Sequence, residues 1–311
     1  MTNFFIRQKY IGERLDKYLV ARLHITRNQA QKLIKNNQIK VNDLTPSVHH
    51  FLRTGDKVSI DLSQPKKTEV KTQKAAPAEF VAIPKVIKTN KDYYIINKPA
   101  GMLVHPTLRG ENNTLIDWLL QFDPELKNVG EDPARPAIVH RLDKEVSGLI
   151  IIPRNLDAFD HFKNLFQSRT ITKKYTALVH GVIEHEDGEI TFPIIRSKSG
   201  KYVGLPQNST EGQTAITTYK VTKHFAHYTL LEVKPKTGRT NQIRIHLNAI
   251  GHPIVGDPLY TNNKIKNKYK LKLNRVFLHA TALEFTDLKN KKITLTLDLP
   301  AKLQTILDHL K

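Results

Sequence analysis

The sequence predicts an α+β protein in two unequal parts, a small two-helix plus sheet module followed by a large, antiparallel-rich mixed-sheet domain. Three observations carry that expectation. Within about the first 63 residues, two helical periodicities are followed by short strand-like pieces. From about residue 81 onward, apolar runs of strand length succeed one another, several with no helix between them, which argues against a doubly wound sheet. Between the two, Gln64 to Glu79 holds Pro65, Pro77 and four lysines, with Val70 its only large aliphatic residue. Such a segment buries too little apolar area to offset the entropy of ordering, so 64–80 reads as a flexible linker between domains 1–63 and 81–311.

In the small part, Leu15, Tyr18, Leu19 and Leu23 recur at helical spacing. Thr26 suits the N-cap of a second helix carrying Ala30, Leu33 and Ile34 on one face. Short strands are expected at Ile39 to Val41 and Val58 to Leu62, with a turn at Thr54-Gly55-Asp56 before the second. Residues 1–63 hold 11 basic and 5 acidic side chains, net +6.

The large part offers strand runs at Tyr93 to Ile96, Leu149 to Ile152, Tyr175 to Val179, Ala215 to Val221, Tyr228 to Val233 and Ile293 to Leu297. Helical patterns are expected at Thr114 to Leu120, Leu156 to Phe166, Thr240 to Ile250 and Leu303 to Leu310. Across 311 residues, 49 Lys and Arg face 29 Asp and Glu, a formal net charge of +20. That excess favours polyanionic partners, nucleic acid before anionic membrane, because no apolar run is long enough to span a bilayer. With no cysteine there are no disulfides, no thiol nucleophile and no Cys-ligated zinc. The fourteen histidines are scattered, so no metal site is expected, and the composition is compatible with a reducing cytoplasm.

The chain is organised around Ile138 to Ile152. A short apolar entry leads to His140, Arg141 and Asp143, then a Ser147-Gly148 turn, then the apolar block Leu149 to Ile152 closed by Pro153. A carboxylate between Arg141 and Lys144 just before a core strand is where a rigid scaffold presents reactive groups. Taken alone, Asp143 can equally be a turn carboxylate paired with Arg141.

The string His140 to Asp143 followed by Ser147 to Leu149 resembles the signature of the RluA-type pseudouridine synthases. Four further strings repeat the likeness in order: Asn97 to Gly101 with His105-Pro106; Lys173 to Val179; Thr237 to His246, continuing through Gly251 to Tyr260; and Leu278 to Ala280 with Leu283 and Phe285. The resemblance spans nearly the whole large domain. The N-terminal pattern, from Arg14 through Thr26-Arg27, Leu33 to Lys35 and Ile39 to Asn42 to Gly55-Asp56, resembles the RNA-binding module named from ribosomal protein S4. The likeness implies isomerisation of uridine to pseudouridine in structured RNA, with large-subunit ribosomal RNA favoured and transfer RNA the alternative. It implies no cofactor, since the reaction involves neither redox nor phosphoryl transfer.

By the same resemblance Asp143 is the catalytic carboxylate, Arg244 its two-pronged partner and Tyr175 the aromatic that stacks on the target base. Arg141 takes the place vacated by the flipped base, and His140, Arg239 and Lys98 complete the expected substrate contacts. Arg14, Arg27, Lys32, Lys35 and Lys40 are the expected RNA contacts of the small module. A monomer is expected. Two positions depart from the family pattern, Val146 where Thr is usual and Asn241 where His is usual, and each changes a hydrogen-bonding group beside the site. Asn37 and Asp43 stand where the small module commonly has Gly, and both tolerate left-handed backbone better than most residues. Two other readings compete: an RNA-binding protein of this fold without catalysis, and a retaining glycosidase. The second needs paired carboxylates, and Asp143 has no carboxylate companion in these strings.

Overall fold

A computed structural model of the protein describes residues 2–310 except 7, 24, 48–49, 62–81, 108–110, 198, 262–264, 266–270 and 272. The expected linker lies wholly outside the described residues. The chain divides into two compact units, Met1–Pro77 and Ala78–Lys311.

In the first unit, helices α1 (Leu15–Leu23) and α2 (Arg27–Lys35) pack beside an antiparallel sheet. Its strands are β1 (Thr2–Phe5), β2 (Ile39–Val41) and β3 (Lys57–Ile60), ordered β1-β3-β2. Leu15, Leu19, Ala30, Ile34, Ile39 and Val58 form its core at 5% exposure or less. Thr26 caps α2 through a capping box: its hydroxyl accepts from the Gln29 amide, and the Gln29 side chain accepts from the Thr26 amide. Asn37 (φ 58°) and Asp43 (φ 64°) both take the left-handed conformation. Short polar side chains there replace glycine at low cost.

The second unit is built on one large sheet. Its strands are β4 (Lys85–Thr89), β5 (Tyr93–Lys98), β6 (Ser147–Pro153), β7 (Thr172–His180), β8 (Asp187–Ile190), β11 (Thr217–Phe225), β12 (Tyr228–Pro235), β13 (Leu278–Thr286) and β14 (Lys292–Thr296). The order is β4-β5-β6-β13-β7-β12-β11-β8, with β14 continuing along β13 where β6 leaves off. Every pairing is antiparallel except β6–β13. A separate hairpin, β9 (Ile194–Arg196) with β10 (Tyr202–Gly204), stands apart from this sheet. Strands β8 to β10 are only three or four residues long, too short for an apolar alternation to announce them.

Alternating residues divide the interior in two. Tyr94, Ile96, Ile150 and Ile152 face one core with α3 (Leu115–Phe122), whereas Tyr93, Ile95, Leu149 and Ile151 face another with Phe162 of α4 (Leu156–Gln167). Helices α5 (Gln242–Ala249) and α6 (Ala301–His309) complete the unit. Among the described residues, no helix is long and apolar enough to cross a membrane.

The parallel seam fixes the central loop. Ser147 and Gly148 stand opposite His279 and Ala280. A Cβ on Gly148 (φ +119°) would lie 2.3 Å from the Ala280 carbonyl oxygen and 2.6 Å from its nitrogen. These are backbone atoms of Ala280, which cannot rotate away, so Gly148→Ala is expected to cost about 3 kcal/mol through overpacking. Denaturant midpoints measure this, and a parent-like midpoint would refute the close approach.

Candidate active site

Asp143 sits on the loop entering β6, and three main-chain features hold it there. The Val146 amide donates to the Asp143 carbonyl, the Gly101 amide donates to the Lys144 carbonyl, and the Ile151 amide donates to Nε2 of His140 at 2.9 Å. Below the loop lies Lys98. Its Nζ is completely buried and donates to the carbonyls of Pro99 (2.8 Å), Met102 (2.8 Å) and Lys144 (3.3 Å). Burial brings Lys98 down to about 7, with Asp143 and Glu145 pulling the other way.

Two of the expected substrate contacts are therefore already engaged within the protein. Lys98 binds the loop from beneath instead of facing substrate. His140 is spent on the Ile151 amide and stacks on Phe166 with ring centroids 4.3 Å apart. Burial and the charge of Lys173 bring it down to about 3, so it stays neutral with its proton on Nδ1. It lines the outer groove while acting as a brace for β6.

The Asp143 carboxyl is 19% exposed, and Arg244 NH1 approaches Oδ2 at 3.8 Å. The two-pronged contact expected here goes elsewhere. Arg244 Nε and NH2 donate to Oδ2 and Oδ1 of Asp257 at 2.7 and 2.9 Å. Asp257 has no exposure and also accepts from the amides of Leu259 and Tyr260. The remaining guanidinium nitrogen, NH1, donates to Asn241 Oδ1 at 3.0 Å. Asn241 caps α5 in left-handed geometry (φ 56°), which turns its amide N–H onto Asp143. Its Nδ2 donates to the Tyr260 hydroxyl at 3.1 Å. The amide at 241 thus bridges cation and phenol, and Val146 fills the chamber wall as a buried aliphatic.

Burial pushes the Asp143 carboxyl above the usual carboxylate value, against the charges of Arg244 and Arg141 and the Asn241 amide. Burial, and then the Asp143 charge, keep the Tyr175 phenol protonated far above its ordinary range. Tyr175 lies on β7 and is 7% exposed. It shares with Asp143, Arg141, Val146 and Lys173 a chamber of about 80 Å³. The chamber continues past Arg141, Lys173 and Arg239 into a groove of about 1000 Å³. Arg141 is exposed at this mouth, and NH1 donates to Nε2 of His105 at 3.2 Å instead of pairing with Asp143. Arg239 donates through Nε to the Thr214 carbonyl and lines chamber and groove.

In the first unit, Lys32 and Lys35 are exposed on the last turn of α2, and Lys40 is half-buried on β2. The side chain of Arg27 lies outside the described residues. Arg14 is corrected: its fork holds the fully buried Asp16 at 3.1 and 2.8 Å, which ties down the start of α1.

A family model described as RNA pseudouridylate synthase matches residues 92–249, about half of the chain, and one described as S4 domain matches 13–57. The chain belongs to the RNA pseudouridylate synthase family. A Bacillus subtilis (strain 168) protein named Uncharacterized RNA pseudouridine synthase YlyB is 34% identical over 88% of this chain and 86% of its own length. Ribosomal large subunit pseudouridine synthase D of Buchnera aphidicola subsp. Acyrthosiphon pisum is 32% identical over 95% of this chain and 94% of its own. Among solved structures, human RNA pseudouridylate synthase domain containing 4 superposes with a TM-score of 0.57 at 27% identity. That match covers 73% of this chain and 93% of that one. An RNA pseudouridylate synthase with an S4 domain is an RNA-modifying enzyme that binds RNA through that domain, and the α+β architecture described above is the family's fold.

Proposed function

We propose that this pseudouridine synthase acts on uridines of large-subunit ribosomal RNA, with Asp143 as the reacting carboxylate. The observation that carries the reading is the meeting of Asp143 and Tyr175 in one small chamber opening onto a broad groove, with Arg244 NH1 3.8 Å from the Asp143 carboxyl. Ribosomal RNA is favoured because the Buchnera relative, matched along almost the full length of both chains, bears that substrate in its name.

The isomerisation breaks the N1–C1′ bond of uridine, turns the uracil and joins C5 to C1′. The C5 proton is lost and N1 regains one, so no oxidant or cofactor enters the balance. The target base must first leave its stack, at a cost of a few kcal/mol. Stacking on Tyr175 recovers about 1–3 kcal/mol of that. Asp143 then acts in its ionised form against the ribose or the base. Arg244 and the Asn241 amide oppose the burial that would protonate it. Arg141, exposed at the mouth, is placed to fill the gap that the flipped base leaves in the RNA.

Mapping pseudouridines in total RNA from cells with and without the protein tests the substrate. The expected result is loss of one or more sites in large-subunit ribosomal RNA. Losses confined to transfer RNA would overturn the assignment.

A further inference from the structure

Lys173 and Tyr175 fall on the same face of β7, two residues apart, while Lys174 faces the other way and pairs with Glu284 at 2.8 Å. Lys173 is half-buried and lines both the Asp143 chamber and the outer groove, so it marks the passage between them. Four lysines line the groove, and the other three have glutamate partners: Lys163 with Glu131, Lys234 with Glu232 and Lys236 with Glu189. No carboxylate answers Lys173 among the described residues, and burial alone acts on its ammonium, lowering its pKa. Nor does it have the carbonyl cradle that satisfies Lys98. Its Nζ lies 5.5 Å from the centre of the Phe166 ring, a cation–π contact that replaces only part of the lost hydration. The neighbouring imidazole of His140 is neutral and committed to the Ile151 amide. A half-buried cation left without an anion among the described residues points to an anion in the ligand.

We propose that Lys173 is the seat for the phosphodiester adjoining the flipped uridine. The proposal rests on the reading that the chamber beside Asp143 and Tyr175 receives the target base. With the base inside, its sugar–phosphate stays at the mouth, and a strand leaving through the groove passes Lys173. A compact ammonium with three donors suits a phosphate oxygen, whereas the planar edge of a base is better matched by a guanidinium fork. Lys173 then has two effects: it contributes affinity, and it fixes how deeply the nucleotide enters the chamber.

The test uses the full-length protein and the shortest large-subunit ribosomal RNA transcript that it converts. Single neutral methylphosphonate linkages are placed in turn around the target uridine. In the parent, one linkage next to that uridine is expected to weaken binding about tenfold, and Lys173→Met to weaken it similarly. The two changes together should cost no more than either alone, and Lys173→Arg should keep the sensitivity. Lys173→Met should also lower the slope of log affinity against log salt by about 0.7–0.9, the loss of one phosphate contact. Its thermal midpoint should equal or exceed the parent's, because a buried unpaired charge is gone; if the Met variant fails to fold, Lys173→Gln carries the same comparison. Additive losses, or an unchanged salt slope, would overturn the seat while leaving the proposed function standing. A parent that converts no uridine in any ribosomal transcript would overturn that reading and the seat with it.

Discussion

Asp143→Asn is expected to lower the single-turnover rate of pseudouridine formation by about a thousandfold, with RNA affinity and fold retained. The amide keeps the shape of the carboxyl and can still accept from the Asn241 amide, but it cannot act as an ionised nucleophile or base. Stability makes a second, independent expectation. Burial holds the folded carboxyl above its ordinary value of 3.8, so the folded state binds that proton more tightly than the unfolded chain does. Ionisation of Asp143 therefore costs stability as the pH rises from about 4 through the folded value. At neutral pH the Asn variant should be as stable as the parent or more so, and the gap should close in acid. Parent-like turnover by the Asn variant would remove Asp143 from the chemistry. A variant less stable than the parent at neutral pH would contradict the electrostatics assigned to it.

Arg244→Met is expected to fail in two ways at once. Asp257 is fully buried, and removing the fork leaves it unpaired, at about 3–5 kcal/mol of stability. Burial pulls Asp257 upward, but the Arg244 hydrogen bonds and charge, with the Tyr260 and Leu259 amides, hold it below the usual carboxylate range. Its contribution is thus present at neutral pH and lost as the pH falls below 3.8 toward the folded value. The second failure is catalytic. With the cation gone, Asp143 rises further, and the acid limb of the pH–rate profile moves to higher pH. Arg244→Lys should restore part of the rate, because one ammonium cannot span both Asp257 oxygens and still reach Asp143. pH profiles of single-turnover rates, paired with unfolding curves, decide it. An Arg244→Met protein with the parent's acid limb and unfolding midpoint would show that neither carboxylate depends on the guanidinium.

The motif residues and the alternation of apolar runs made the Asp143 loop and most core strands legible in the sequence. What the sequence concealed was which partner each charged group takes. Asp257 lies inside a quoted motif string, yet its partner is thirteen residues earlier across α5, and nothing local links them. A string shows that Arg244 needs a carboxylate without saying which of two it grips. For Lys98 a usable signal existed: Tyr94, Ile96 and Lys98 alternate on β5, so the period that sends the first two into the core sends the lysine there too. The alternative reading of Arg14 lay two residues away in Asp16, which the α1 periodicity marks as off the apolar stripe although the structure buries it completely. Side-chain pairing of this kind is set by tertiary packing, and neither spacing nor composition encodes it directly.

The anchoring of the loop under Asp143 has a bearing on how freely this region can drift. Lys98 grips carbonyls of residues 99, 102 and 144, and further ties run from the Gly101 amide to the Lys144 carbonyl and from the Val146 amide to the Asp143 carbonyl. Every amino acid supplies a carbonyl, and all but proline an amide. The acceptors of this mooring therefore carry no side-chain identity, and substitutions at Met102 or Lys144 that keep the backbone path leave it intact. Val146 can stand where a hydroxyl residue is usual for the same reason: the bond that shapes the loop at that position belongs to its main chain. Sequence variation can accumulate around the carboxylate while the carboxylate itself stays where it is.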